Sequence, residues 1–310
     1  MSWICKILIF FLHFSILARA EDSVQAPTAR HEKRIPLLHV ITKTPDTTLS
    51  FLKDAFSKEA IPGWTAIFVS TALTYHYDAD IFEGAQKKGR QWGLGNADNT
   101  KTVVKSGQYA LLRLPSDTGS ALYFMGDGWL DFAVAGGFLA NGMMTDNNKS
   151  YNTALQLVHG MTISAIFVQG LKRSFGRETP GDRSEPRGAW RPFPSSNAFN
   201  ANQPKYDAMP SGHIMTSTLV FTIIRENYKE YDAYLLPLEI GWLTVLGFQM
   251  INNGVHWASD YPLAIGMGYT IGKAAAQLGQ PMEVAQSKDW QILPGQSVEG
   301  FPILTAQRGF

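Results

Sequence analysis

Apolar positions recur every three or four residues over long stretches of this chain, the period of helices that hide one face. The first such stretch covers residues 48–60, with Phe51, Leu52, Ala55 and Phe56 on one side, and Pro62-Gly63 breaks it. A second apolar stretch follows at 64–75. The segment 78–107 is rich in Gly, Lys, Asn and Gln and reads as loops. Short strands are predicted at 109–114 and 121–125, around Pro115 to Gly119. After Gly128 long apolar helices take over. One is predicted at 131–144, one from an Asn152 or Thr153 cap to about 174, and one opening at His213 and reaching 227. Another runs over 235–251 with Pro237 in its first turn, and the last over 260–279. A loop rich in Pro, Gly and Arg spans 180–210. Residues 21–48 read as an extended lead-in, and the tail beyond Pro281 has no clear period. The expected fold class is all-α: a helical bundle carrying its site at one end of the core helices, plus an N-terminal extension. The expected division is 1–20, 21–124, 125–280 and 281–310.

Composition sharpens this picture at the N-terminus. Lys6, the apolar run 7–17 and Ala18-Arg19-Ala20 read as a secretory signal, cleaved before Glu21, with an uncleaved anchor as the alternative. Its removal leaves 25 basic against 26 acidic residues, about −1. Cys5, the single cysteine, lies inside that segment, so the mature chain has no thiol chemistry. Such a balance offers no basic surface for nucleic acid. The candidate spans 154–171 and 235–251 carry Gln156, His159, Gln169, Glu239 and Gln249. That favours an exported soluble or peripheral protein over an integral one.

Three clusters carry candidate chemistry. Pro210-Ser211-Gly212-His213 reads as a helix start. Its free N–H groups suit phosphate, Gly212 admits close approach, and His213 can protonate a leaving alkoxide. His256 and Asp260 lie four apart, so a carboxylate can fix one ring nitrogen and free the other as a nucleophile. Lys172, Arg173 and Arg177 end an apolar helix, where cations are ordinary dipole partners. Each cluster alone also has a plain structural reading. No His or Glu spacing specifies zinc, and neither a metal nor another cofactor is expected. His76 and His159 read as structural histidines.

Taken together, the order and spacing resemble the type 2 phosphatidic acid phosphatase superfamily, which includes bacterial acid phosphatases and vanadium haloperoxidases. That pattern is Lys, six residues, Arg-Pro; then Pro-Ser-Gly-His; then Ser-Arg, five residues, His, three residues, Asp. Lys172, Pro180, Pro210 to His213, His256 and Asp260 match it, and the resemblance covers roughly 125–278. The resemblance implies that His256 attacks phosphorus, Asp260 orients it and His213 protonates the leaving oxygen. Lys172, Ser211 and the Gly212 amide would hold the phosphoryl oxygens.

Two departures stand out: Thr179 and Met250 occupy the positions of the family arginines, and Gln249 replaces the preceding serine. Losing an arginine that meets phosphoryl charge costs on the order of 10³–10⁵ in rate. Arg177 is the first candidate to replace one as a phosphate ligand; Arg187, Arg191 and Lys205 are others. Gly-Arg-Glu-Thr-Pro with Asn-Asn-Gly-Val-His-Trp is similar to a divergent bacterial branch of the superfamily. The expected function is an exported, metal-independent phosphatase acting on a phosphorylated small molecule or a lipid phosphate, with membrane association allowed. The alternatives are a non-catalytic phosphate or headgroup binder on the same pocket, and a haloperoxidase.

Overall fold

The computed structural model describes residues 33–97, 99–106, 109–126, 128–280, 290–296 and 302–308. The expected signal segment, with Cys5, lies outside them. Eleven α-helices, four single-turn 3-10 helices and two hairpins make up the described elements. The helices are α1 (His39–Thr42), α2 (Thr44–Ala55), α3 (Ile61–His76), α4 (Asp78–Gln91), α5 (Thr118–Gly126), α6 (Trp129–Met144), α7 (Asn148–Phe175), α8 (Ser196–Ala201), α9 (Gly212–Asn227), α10 (Asp232–Asn252) and α11 (Tyr261–Ala275). The fold is all-α, as the apolar periodicity predicts. One compact unit closes at Leu278. In the separate unit Gly279–Phe310, β3 (Trp290–Gln296) pairs antiparallel with β4 (Pro302–Arg308).

The centre of the larger unit is the packing of α9 on α11, flanked by α7 and α10. Leu157, Ile163, Ile214, Met215, Leu219 and Ile271 are buried there. Close approach of α9 and α11 depends on Gly268, where a Cβ would collide with the Met215 carbonyl. Helices α2 and α3 pack on α11, while α4 and α5 pack on α10.

Several boundaries differ from expectation, each for a local reason. Residues 78–91 form a helix, not loops: Asp78, Phe82, Ala85 and Gly89 share its buried face, with acids in its first turn and bases in its last. The glycines and lysines hid that period. The strand β2 (Tyr109–Pro115) exists, but its partner is β1 (Thr100–Ser106). Residues 121–125 are helical because Asp117 accepts the Ser120 N–H at 2.9 Å and starts α5. Asn147, not Asn152, caps α7 by accepting from the Ser150 N–H at 3.0 Å. Pro237 lies inside α10, beyond its first turn. Within the expected lead-in, 39–42 is helical.

Candidate active site

The three sequence clusters meet at one end of the bundle. Lys172 is in the last turn of α7, Ser211 caps α9, and His256 sits in the turn between α10 and α11. The Ser211 N–H reaches the Asp260 carbonyl at 3.4 Å, tying the starts of α9 and α11 together. Gly176 makes the exit from α7 workable: its φ is 56°, and a Cβ would collide with the Arg191 carbonyl. That left-handed turn sends Arg177 inward.

The imidazoles of His213 and His256 meet edge to face, their planes 71° apart, with centroids 5.5 Å apart and His213 Nδ1 3.3 Å from His256 Nε2. His256 is fully buried and His213 half-buried. His256 Nδ1 lies 2.6 Å from the Ala208 carbonyl. A carbonyl only accepts, so Nδ1 carries the proton and Nε2 presents its lone pair to His213. Burial pushes the His256 pKa well below the ordinary histidine value, and the charges of Lys172 and His213 push the same way. The ring is therefore neutral at physiological pH, the state a nitrogen nucleophile requires.

The hydrogen bond expected from Asp260 to His256 is made by Ala208 instead. Asp260 Oδ2 stands 3.7 Å from Nδ1 and accepts the Trp257 N–H at 2.7 Å. Its other oxygen accepts from Arg177 Nη1 at 2.5 Å. Burial raises Asp260 to about 6, against the opposing pull of Arg177 and Lys172.

Arg177 does not occupy the position expected of a phosphate ligand. It is fully buried, and Nη2 donates to Asp78 at 2.7 Å and to the Arg187 carbonyl at 3.1 Å. Nη1 also donates to Ser259 at 2.7 Å. Trp190, Tyr75 and Trp257 lie 5.0–5.2 Å from its guanidinium. The other candidate cations are dispersed. Arg191 pairs with Glu178 at 3.2 Å, Arg187 lies over Tyr75 at 5.5 Å, and Lys205 is exposed. Lys172 is nearly buried and 3.3 Å from Asp207, whose negative charge also bears on His256. Ser211 is buried, and its Oγ accepts from the Ile214 N–H at 3.4 Å, leaving its own proton to donate. Met250, at the second family-arginine position, is fully buried in the core, and Gln249 anchors the Gly95 carbonyl at 3.0 Å.

Sequence reasoning missed Asp78, Asp207 and Ala208. Asp78 comes from a segment read as loop, and the Ala208 contribution is a backbone atom, invisible to any side-chain motif. Residues 153–281 match the family model of the PAP2 superfamily. This region belongs to the PAP2 superfamily. Neither a curated protein nor a solved structure matches the chain significantly. Members of the PAP2 superfamily are generally phosphatases acting on phosphate esters. All of the paired-histidine site except Asp78 falls within the matched region.

Proposed function

We propose that this protein is a phosphatase that works through a phosphohistidine on His256 and acts on lipid phosphates at a bilayer surface. The observation that carries the chemistry is the neutral, buried His256 with its Nε2 lone pair aimed at a second imidazole. His256 Nε2 attacks phosphorus, the P–O ester bond breaks, and its electron pair leaves on the ester oxygen. His213 supplies the proton to that oxygen. Water then cleaves the P–N bond, and the released proton restores the histidine pair. Lys172, the Ser211 hydroxyl and the Gly212 amide at the start of α9 hold the phosphoryl oxygens. A Cβ at Gly212 would meet only Val168, at 3.7 Å, so packing does not demand glycine there. Close approach of an oxyanion does.

The two ring nitrogens are too close to admit a phosphoryl group between them, so one ring moves as substrate enters. His213 is that ring, because His256 is enclosed while His213 is half-exposed. Tyr123 of α5 lies 5.5 Å from His213 and covers it.

Lipid substrates are favoured by the outside of the bundle. Helix α3 exposes Ile61, Trp64, Phe68, Val69 and Leu73, with Phe68 75% exposed. Trp129, Phe132 and Met143 of α6 are exposed too, as are Tyr234, Leu238 and Val245 of α10. The stretch 60–77 contains no Asp, Glu, Lys or Arg. At about 1.5 Å per residue the 16-residue helix α3 within it measures roughly 24 Å, shorter than a hydrocarbon core of about 30 Å and suited to lying against or partly entering a bilayer. Among the described residues, two helical stretches, Asn148–Phe175 and Lys229–Asn252, are long and apolar enough to cross a membrane, the first with more than half of its apolar window buried inside the bundle. A bilayer covers these faces, and the site at one end of the bundle meets the headgroups.

The supporting result is phosphate release from phosphatidic acid in vesicles, persisting in chelator and lost in His256→Ala. Undiminished turnover in that variant overturns the reading. The second reading, a headgroup binder without turnover, draws on Met250 and on the engagement of Arg177 by carboxylates. It is supported by saturable vanadate binding without any product.

A further inference from the structure

The machinery of the proposed reaction reaches outside the PAP2 region. Asp78, the first residue of α4, is fully buried and sits against the back of the site. Its Oδ2 accepts from Arg177 Nη2 at 2.7 Å and from the Ser259 hydroxyl, and its Oδ1 from the Ser259 N–H at 3.1 Å. Arg177 therefore bridges two carboxylates, Asp78 on one Nη and Asp260 on the other. The geometry points to Asp78 as a positioning residue that takes half of the Arg177 guanidinium, so that Asp260 keeps uncompensated negative charge beside His256.

The argument is one of charge. When His256 attacks phosphorus its ring becomes cationic, and Asp260 is the carboxylate 3.7 Å from its Nδ1. A guanidinium paired with Asp260 alone would cancel that charge. Shared with Asp78, it leaves the buried group of two acids and one base at net −1 when both acids are ionised. The groups facing Asp78 are Arg177 from the turn after α7, Ser259 and Asp260 from the turn before α11, and Tyr261 from α11. Burial and the two carboxylates hold Tyr261 well above its ordinary value, so it stays neutral. Burial and the Asp260 charge raise Asp78, with Arg177 opposing. Both acids therefore remain poised to take up a proton as the medium turns acid.

This inference rests on the phosphohistidine reading, and its test separates the two. Asp78→Asn keeps the shape and removes the charge. The expected kcat falls roughly tenfold or more, which corresponds to about 1.4 kcal/mol of lost support for the His256 cation. Vanadate, an anion, should bind the same variant more tightly, by about threefold, because the pocket is less negative. The acid limb of kcat should move to lower pH, since Asp260 no longer faces a second carboxylate. A purely structural role for Asp78 would weaken both turnover and binding and leave the acid limb in place. Asp78→Glu, which retains the charge should the amide disturb folding, is expected to keep most of the wild-type kcat. Active wild type with unchanged kcat in Asp78→Asn, or weaker vanadate binding in that variant, overturns the inference alone. Wild type without turnover on any phosphate ester overturns the function reading and this inference with it.

Discussion

Replacing Arg177 by glutamine distinguishes a buried structural cation from a ligand that grips substrate. The side chain is fully enclosed and makes bonds of 2.5 Å to Asp260, 2.7 Å to Asp78 and 2.7 Å to Ser259. Its loss leaves two carboxylates facing each other without a counter-ion. Breaking a buried ion pair from one side costs about 3–5 kcal/mol. For a unit of this size that lowers Tm by on the order of 10 °C. The deficit also depends on pH. Burial already raises both acids, and without Arg177 both rise further. A carboxyl whose folded value exceeds its unfolded value takes up a proton on folding, so its contribution to stability grows as pH falls through the folded value. The variant should therefore be most impaired above about pH 7 and partly restored near pH 5. Thermal unfolding of purified wild type and Arg177→Gln across that range measures both effects. A variant with unchanged Tm and a raised KM would refute the reasoning, since that is the signature of a lost substrate contact.

Three other outcomes follow from the same geometry. Lys172→Met should reduce kcat/KM by about 10²–10³, the range for one oriented donor to a developing oxyanion, with Tm little changed; steady-state kinetics and unfolding check it. Asp207→Asn should free Lys172 and tighten vanadate binding several-fold at low salt, with the gain shrinking as salt rises, which titrations at two ionic strengths would show. In the wild type, kcat should decline as pH falls through about 6, where Asp260 takes up a proton; a rate profile flat across that range would count against Asp260 as the charged partner of His256.

The long apolar helices were readable because their period survives along 131–144, 213–227 and 235–251, and the observed elements contain those cores. Where burial falls on residues of weak hydrophobicity, the period disappears from view. The helix over 78–91 turns Asp78, Phe82, Ala85 and Gly89 inward, and only Phe82 among them announces a core. The same gap explains the site. His213, His256, Lys172 and Ser211 stood in a recognisable order, and the fold brings their segments together. What orients His256 is the Ala208 carbonyl, which no residue type encodes. Arg177 was legible as a significant cation but not in its direction. The turn at Gly176 sends it behind the site, towards a carboxylate 99 positions earlier in the chain. The outward apolar face of α3 was likewise obscured in sequence, because a buried helix and one facing lipid share the same composition.

Trapping the enzyme during turnover reaches the proposed mechanism most directly. Rapid quenching in base with phosphatidic acid, followed by mass spectrometry of the peptides, should reveal an acid-labile phosphoryl group on His256. His213→Ala should accumulate it less readily from a lipid ester, whose leaving oxygen needs a proton, than from an aryl phosphate. Steady phosphate release with no adduct on His256, or an adduct on a different residue, would contradict the account.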